Sequence, residues 1–496
     1  MLRCFSVDSS SGGSGAAPPS ATWWFNSVFA AYAAVFLAYA VTWAFTFDEA
    51  YELLAAQLIA AGKTPYLDFC YPQTPLGAYW NAAWIRLAGA NWRILHLLAA
   101  MFTVGAVWLA ADYVKRRFPE REWRLAGALL ILVGTGLNPM VFEYGALRSY
   151  GMCLLCLLAG FRAAVKAVDD DGWQRAGAAG LLAGVAAGAS LLAAAAAPVL
   201  LVWGWCCNRG GDRRRKAAAF CAGLAIPFAT VFWLLARAPR QTWFNVVRYH
   251  AFYRQIYWPG TTQHDLEVLT SWIDSGQALL LIVLGLAGLL FIVRRSGWAQ
   301  DVKSELYLCG WLAAALSAES GRAHPTFGRY FLLSVPFAAT LAAAGLLAVS
   351  RAFDARRPVW PAAVASLLFA LGLGRALYDR RDADTWSTFE RVAARIQQVT
   401  PPGAPVLALE PMYFLTRRTP PEGFENYYTH ELNLPPAEAA SLHIVNNEEV
   451  KRRLRAGMFA TACSCDDDEI ADWDLKKLYR QHAELESCGV FWEHAR

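Results

Sequence analysis

Long, nearly uncharged stretches recur along most of this chain, and they restrict its fold more than any other feature. A helix needs about 20 apolar residues to cross a bilayer. Runs of that kind lie near residues 25–46, 94–113, 125–142, 148–167, 176–190, 192–206, 217–236, 277–293, 305–318, 330–350 and 359–377. Of 496 residues, 56% are hydrophobic and 17% charged, whereas soluble domains carry about 25% charge. The chain therefore reads as a polytopic α-helical membrane protein with about eleven transmembrane helices. Residues 176–206 would be about 45 Å long as one helix at about 1.5 Å per residue. They read instead as two short crossings that break near Ala189–Ala197.

The net charge of +5 is read by location. Every second connection is basic: KRRFPEREWR, the Arg162/Lys166/Arg175 stretch, NRGGDRRRK, RRSGWAQDVK and SRAFDARRP. Lys and Arg in short loops collect on the cytoplasmic side. The intervening loops and the tail after Tyr378 then face outward. No basic stripe interleaved with aromatics follows a soluble fold, which argues against a nucleic-acid partner. Residues 1–24 are rich in Ser, Gly and Pro and read as a flexible cytoplasmic tail without the apolar core of a cleaved signal. No Asn-x-Ser/Thr sequon occurs, which favours a bacterial inner membrane over a secretory-pathway one.

Asp48 and Glu49 stand at the mouth of the first span and open the first outward loop, 47–93. Ionisable groups are costly at a membrane surface and usually mark a site there. Residues 48–61 have apolar residues at helical spacing, stopped by Gly62, and 75–87 form a second helix rich in Tyr79, Trp80 and Trp84. Both helices are expected to lie along the membrane surface. A plain reading makes Asp48 the N-cap and Glu49 a favourable first-turn charge. The neighbouring TPYLDFCYPQTP argues for more, because it adds Tyr66, Asp68 and Gln73 close behind Tyr51 and Lys63.

Three further outward loops carry cations and rings. FEYGALRSYG holds Glu143, Arg148 and Tyr150; loop 237–276 holds Arg248, His250, Arg254, His264 and Asp265; ESGRAHPTFGRYF holds Glu319, Arg322, His324, Arg329 and Tyr330. Any one Arg could snorkel to lipid phosphate. Several outward loops loaded this way run against the cytoplasmic bias of basic residues. Carboxylates beside cations suit a reaction that deprotonates a hydroxyl and binds a departing phosphate. Placement at the lipid surface points to a lipid-linked reactant.

The segments FDEAYELLAAQLIAAG, GKTPYLDF and TPLGAYW, with Arg329-Tyr330 opening a span that contains Pro336, resemble the GT-C glycosyltransferases. The resemblance is to the bacterial relatives of the dolichyl-phosphate-mannose protein mannosyltransferases, including the aminoarabinose and Rgt-type transferases, and covers roughly residues 25–377. It implies an inverting transfer of a sugar from a polyprenyl-phosphate donor to an acceptor protein, lipid or polysaccharide on the outer face. Asp48 falls on the family's catalytic base or acceptor-orienting group and Glu49 on its acidic neighbour. Arg329 and Arg322 become candidates for the donor phosphate, and Tyr51, Lys63, Tyr66, Asp68, Gln73, Arg148, Tyr150, His264, His324 and Tyr330 for the rest of the substrate site. The family's Thr-Lys or Ser-Lys hairpin is represented only by Ser190 in GASLLAAAAAP, so another cation such as Arg148 would substitute. No metal ligand set is assigned, because no DxD pair occurs in an outward loop before the tail; a divalent metal stays open.

Residues 25–378 thus form the membrane catalytic domain and 379–496 a small extracytoplasmic α/β domain. In the latter, TWSTFERVAARIQQVT has apolar residues Phe389, Val392, Ala393 and Ile396 at helical spacing and is ended by Pro401-Pro402-Gly403, and APVLALE, HIVNN, MFATA and GVFWE are strand candidates. The Asp466–Glu469 run reads as a solvated helix start. Of eleven cysteines, Cys463, Cys465 and Cys488 lie in this tail, where a disulfide to Cys488 is expected with its partner undecided. The competing function is a transporter or lipid-carrier flippase, which calls for mid-membrane charges and repeated halves that the spans lack. An inactive assembly partner is disfavoured by the intact Asp48 and Glu49.

Overall fold

In a computed structural model, which describes residues 19–257, 260–294, 298–353 and 359–495, helices fall on each of the eleven apolar stretches. Most of the amino-terminal tail lies outside the described residues. Among the described residues, seven helices are long and apolar enough to cross a membrane: Trp23–Thr42, Trp92–Arg117, Tyr150–Ala167, Arg213–Arg237, Gly276–Arg294, Val335–Ala352 and Trp360–Asp379. The other four, Arg124–Gly136, Gln174–Ala189, Ala196–Cys206 and Gln300–Arg322, are shorter or carry more charge. The break in residues 176–206 is present. The helix ends at Ala189, Ser190 is extended, and a single 3₁₀ turn at Leu191–Ala193 leads to the next helix at Ala196.

Small residues set the closest helix crossings, since apolar lipid gives helices little hydrophobic reason to associate and close backbone contact takes over. A Cβ on Gly345 would lie 1.8 Å from the Leu284 carbonyl oxygen, and one on Gly180 would lie 2.0 Å from that of Phe220. The helix pairs 276–294 with 335–352 and 174–189 with 213–225 therefore touch backbone to backbone.

The bundle has two unlike ends. At one, the basic connections meet acids. Arg117 pairs with Glu305 and, at 2.8 Å, with Asp301; Arg351 reaches Glu120 at 3.0 Å and Arg209 reaches Asp169 at 2.6 Å. At the other end lie the loop 47–93 and the carboxy-terminal lobe.

The loop forms helices Phe47–Ala60 and Leu76–Ala88. Gly62 and Gly89, at φ 100° and 80°, end them in conformations that favour glycine. Arg86 donates to the carbonyls of Ile59 (3.0 Å) and Ala60 (3.1 Å), closing the open end of the first helix. Thr46, not Asp48, occupies the N-cap position, so Asp48 is the second helical residue with its side chain free for other work. Helix Phe47–Ala60 also departs from the expected surface position. Ten of its fourteen residues are buried, because the lobe covers the face that membrane headgroups would otherwise meet.

The lobe carries a four-stranded sheet in the order β1 (Val406–Leu407), β2 (Thr461–Ser464), β4 (Cys488–His494), β3 (Tyr479–Leu485). β1 runs parallel to β2; the other pairings are antiparallel. HIVNN is not a strand. His443 takes a left-handed φ of 56°, and Asn446 stands just before the helix Asn447–Arg455 with its side chain bonded to Leu434. Cys465 is bonded to Cys488, which fastens the segment after β2 to the start of β4. Asp466 does cap a short helix, but Glu469 is buried against Ser464 rather than solvated.

The lobe docks through helix Trp386–Val399. Trp386 stacks on Trp92 with ring centroids 5.7 Å apart, and Phe389 packs on Phe45 at 4.7 Å. Glu390 accepts from Arg93 (2.6 and 3.1 Å) and from Trp92 Nε1 (2.9 Å). Lys63 reaches the buried Glu425 at 3.5 Å, which ties the first loop to the far side of the lobe.

Candidate active site at the bundle–lobe junction

The first two turns of helix Phe47–Ala60 bring three carboxylates, Asp48, Glu49 and Glu52, to this junction. Asp48 sits at the centre. Its Oδ2 accepts a short hydrogen bond from Arg329 and lies 3.5 Å from the Arg148 guanidinium. Arg148 in turn donates to Glu52 Oε1 from Nε (2.7 Å) and to the Tyr51 hydroxyl (3.0 Å). Burial works against the Arg148 cation, but Glu52, Tyr51 and Asp48 outweigh it and hold the guanidinium above its ordinary range. Arg148 takes a left-handed backbone, φ 55°. Such strain in a non-glycine residue costs about 1–3 kcal/mol and gathers at working sites. Here it turns the Arg148 N–H toward Glu49 Oε1 (3.1 Å) while the side chain reaches Glu52.

Glu49 is only 2% exposed and is occupied on every side. Besides the Arg148 N–H, its Oε2 meets His96 Nε2 at 2.7 Å and Trp386 Nε1 at 3.3 Å. His96 Nδ1 lies 2.7 Å from the Ala40 carbonyl, which can only accept, so Nδ1 carries a hydrogen. Nε2 is then the ring nitrogen turned to the Glu49 carboxylate. Glu49 thus binds a span, the lobe and Arg148 at once, and its geometry is that of a positioning residue.

Arg329 enters from the 3₁₀ turn Gly328–Leu333. Its Nε is buried without an acceptor, and its guanidinium lies 4.3 Å from the Phe327 ring centroid and 5.6 Å from that of Tyr330. The Tyr330 hydroxyl accepts from Arg254, a second cation that no acid offsets among the described residues. Tyr150 completes the wall, with Arg148 5.5 Å from its ring centroid. The junction therefore gathers Asp48, Glu49, Tyr51, Arg148, Tyr150, Arg329 and Tyr330 from three loops far apart in sequence.

Other expected residues stand elsewhere. Asp68 caps its own turn, accepting from Thr64 N at 2.6 Å, and the buried Tyr66 hydroxyl donates to the Gln73 carbonyl. Lys63 serves the lobe contact described above. His264 meets the Thr326 carbonyl (3.0 Å), and His324 meets Asp265 (2.5 Å); both brace the loop that delivers Arg329. The Arg322 side chain is 80% exposed and touches only Glu319 at 3.5 Å, which removes it from the group around Asp48.

Four contributors carry no signal in the first-loop motif. Arg254 and Tyr249 come from 244–257, and Glu410 and Tyr428 come from the lobe. Asp48 lies within Coulombic reach of Tyr249, Tyr428 and Glu410. Burial pushes Glu410 up to about 7, against the pull of the Tyr427 N–H and with help from the Asp48 charge. His250 is lowered to about 4, by burial first and by Arg254 second. Among the described residues no group of His, Cys, Asp and Glu could hold a metal ion.

No protein-family model matches this sequence, and no curated protein does. In structure it is similar to ArnT from Cupriavidus metallidurans bound to undecaprenyl phosphate, with 14% identity over 96% of this chain and 98% of that one, at a TM-score of 0.67. ArnT in the apo state gives the same TM-score of 0.67 over 95% of this chain. The archaeal oligosaccharyltransferase AglB from Archaeoglobus fulgidus, solved with an inhibitory peptide and a dolichol-phosphate, is 13% identical over 91% of this chain and 70% of that one, at a TM-score of 0.50. The chain thus has the GT-C fold of these glycosyltransferases, with a bundle and a small carboxy-terminal sheet lobe that ArnT matches almost end to end.

Proposed function

We propose that this protein transfers a sugar from a polyprenyl-phosphate carrier to an acceptor hydroxyl at the outer face of the bacterial inner membrane. The amino terminus would be cytoplasmic and the lobe extracytoplasmic. The observation that carries the reading is the Asp48–Arg329–Arg148 group at the bundle–lobe junction. One arginine there keeps a buried N–H without an acceptor, next to Arg254. Arg pairs with phosphate oxygens in a bidentate manner and is the residue of choice where such a group must be held as charge builds on it. The same fold binds undecaprenyl phosphate in ArnT and dolichol-phosphate in AglB, which supports a lipid-phosphate leaving group here.

In the proposed reaction the acceptor oxygen attacks the anomeric carbon from the face opposite the phosphate. The C1–O bond to the carrier breaks, its electrons pass to the phosphate, and the sugar inverts. Arg329 and Arg254 stabilise the charge developing on the departing phosphate. Asp48, held by two cations, orients the acceptor and fixes the arginines. Glu49 and Glu52 hold Arg148 in place. Acceptor classes in keeping with this site are a protein, a lipid or a growing polysaccharide.

The test uses purified protein in lipid, as wild type and Asp48→Asn, with a panel of radiolabelled polyprenyl-phosphate sugars and release of polyprenyl phosphate as readout. Release by wild type alone supports the reading and identifies the sugar. Equal release by Asp48→Asn refutes the role given to Asp48.

A further inference from the structure

The carboxylates of the first loop are all engaged. Asp48 is bound by Arg329 and Arg148, Glu52 by Arg148, and Glu49 by His96, Trp386 and the Arg148 N–H. Glu410 stands apart. It is the first residue of helix Glu410–Thr416, which packs on helix Phe47–Ala60, and it is 6% exposed. Its Oε1 accepts from Tyr427 N at 2.7 Å, and no cation pairs with it among the described residues. Tyr427 opens the turn Tyr427–Leu432, which packs on Arg254–Tyr257. One lobe element thus packs on the helix that carries Asp48 and another on the segment that carries Arg254, and the hydrogen bond from Tyr427 N to Glu410 joins the two. A buried carboxylate without a cation is costly to ionise and is rarely kept for stability alone.

Resting on the glycosyltransferase reading, we propose that Glu410 of the lobe is the catalytic base that takes the proton from the acceptor hydroxyl as its oxygen bonds to the anomeric carbon. The O–H bond breaks as the C–O bond forms. The proton moves to Glu410 and later to water, and the electrons of the broken C1–O bond leave with the polyprenyl phosphate. The lobe then supplies part of the chemistry and is more than a cover. The titratable and charged groups that face Glu410 are Asp48 from the first loop, Tyr428 from the Tyr427–Leu432 turn and Tyr413 from its own helix, with Arg329 and Arg148 beyond Asp48. A base ionising near 7 makes kcat rise with pH and level off above that point.

The test measures kcat and KM between pH 5 and 8.5 for wild type, Glu410→Gln and Glu410→Asp in lipid. Gln still offers a carbonyl to Tyr427 N, so a purely structural role survives that change while a base is lost. Glu410→Gln is expected to lose about 10²- to 10⁴-fold in kcat with little change in KM, and to lose the rising limb. Glu410→Asp should keep the limb at reduced height. Undiminished kcat in Glu410→Gln, or a wild-type kcat that does not vary between pH 5 and 8, overturns the assignment of Glu410. Wild type that transfers sugar from no donor in the panel overturns the glycosyltransferase reading itself, and the role of Glu410 falls with it.

Discussion

Replacing Glu49 by Gln should loosen the joint between lobe and bundle, and Trp386→Phe in the same chain should restore part of what is lost. Glu49 faces three partners: His96 Nε2 at 2.7 Å, Arg148 N–H at 3.1 Å and Trp386 Nε1–H at 3.3 Å. A Gln amide turned to satisfy the His96 lone pair points its NH₂ at the Trp386 N–H. Turned the other way, it points its NH₂ at the Arg148 N–H. Either orientation opposes two buried donors, at a cost of about 2–4 kcal/mol. Trp386→Phe alone keeps the ring stack on Trp92 and removes a single donor, costing about 1 kcal/mol. In the double variant the opposed donor is gone, so its cost should fall below the sum by about 1–2 kcal/mol. Unfolding of all four proteins in mixed micelles of rising sodium dodecyl sulfate content reads out the cycle. Strict additivity, or a Glu49→Gln protein as stable as wild type, would refute the placement of Glu49 at this joint.

Two further outcomes are expected. Glu410 has its folded value raised from 4.5 to about 7, so its contribution is fully present below about 4.5 and is lost as pH climbs to about 7. That shift is worth about 3 kcal/mol, so Glu410→Gln should melt higher than wild type at pH 8 and alike at pH 4.5. A lower melting point at pH 8 would instead mean that the carboxylate stabilises the fold. Gly345→Ala drives a Cβ to 1.8 Å from the Leu284 carbonyl oxygen, in backbone that cannot yield without parting two helices. Folded yield from membranes should drop severely, while Gly374→Ala, which meets nothing within 4 Å, should behave as wild type.

Much of the bundle was legible in the sequence, because each span must bury its backbone in its own helix and keep an apolar exterior. The end of the first loop helix was legible for a similar reason, since Gly62 takes a conformation that suits glycine. The partners of Asp48 were legible in type but not in contact. Arg329 lies 281 residues away, and although its pairing with Tyr330 ahead of Pro336 sets it apart from the exposed Arg322, nothing local shows that it reaches Asp48. Glu410 was hidden inside APVLALEPMYF, which reads as a strand, although Glu-Pro is also a good helix opening. β3 was missed because YRQHAEL is an edge strand with a mostly exposed face, and so lacks the apolar alternation of a half-buried one. HIVNN has strand-like residues, but the Asn446 side chain is spent on both backbone groups of Leu434 at the start of a helix.

The first loop and the lobe together place four acids around one junction, and their surroundings divide the work among them. Asp48 is bridged by two guanidiniums, those of Arg329 and Arg148. Glu52 is bound to Arg148 in the same way. Glu49 is engaged by His96 and Trp386 through one oxygen and by the Arg148 N–H through the other. Burial raises both Glu52 and Glu410, but Arg148 opposes the rise at Glu52, whereas Glu410 has no cation beside it among the described residues and is pushed up to about 7. Acids whose environments push them apart in this way take separate roles in catalysis. The same reasoning accounts for the position of the lobe. The proton acceptor must be kept from the arginines that hold the phosphate, or it would become one more of their counter-ions. A separate domain, fastened by Trp386 and Glu390 at one edge and by Lys63 at the other, can bring a carboxylate close to Asp48 without handing it to Arg329.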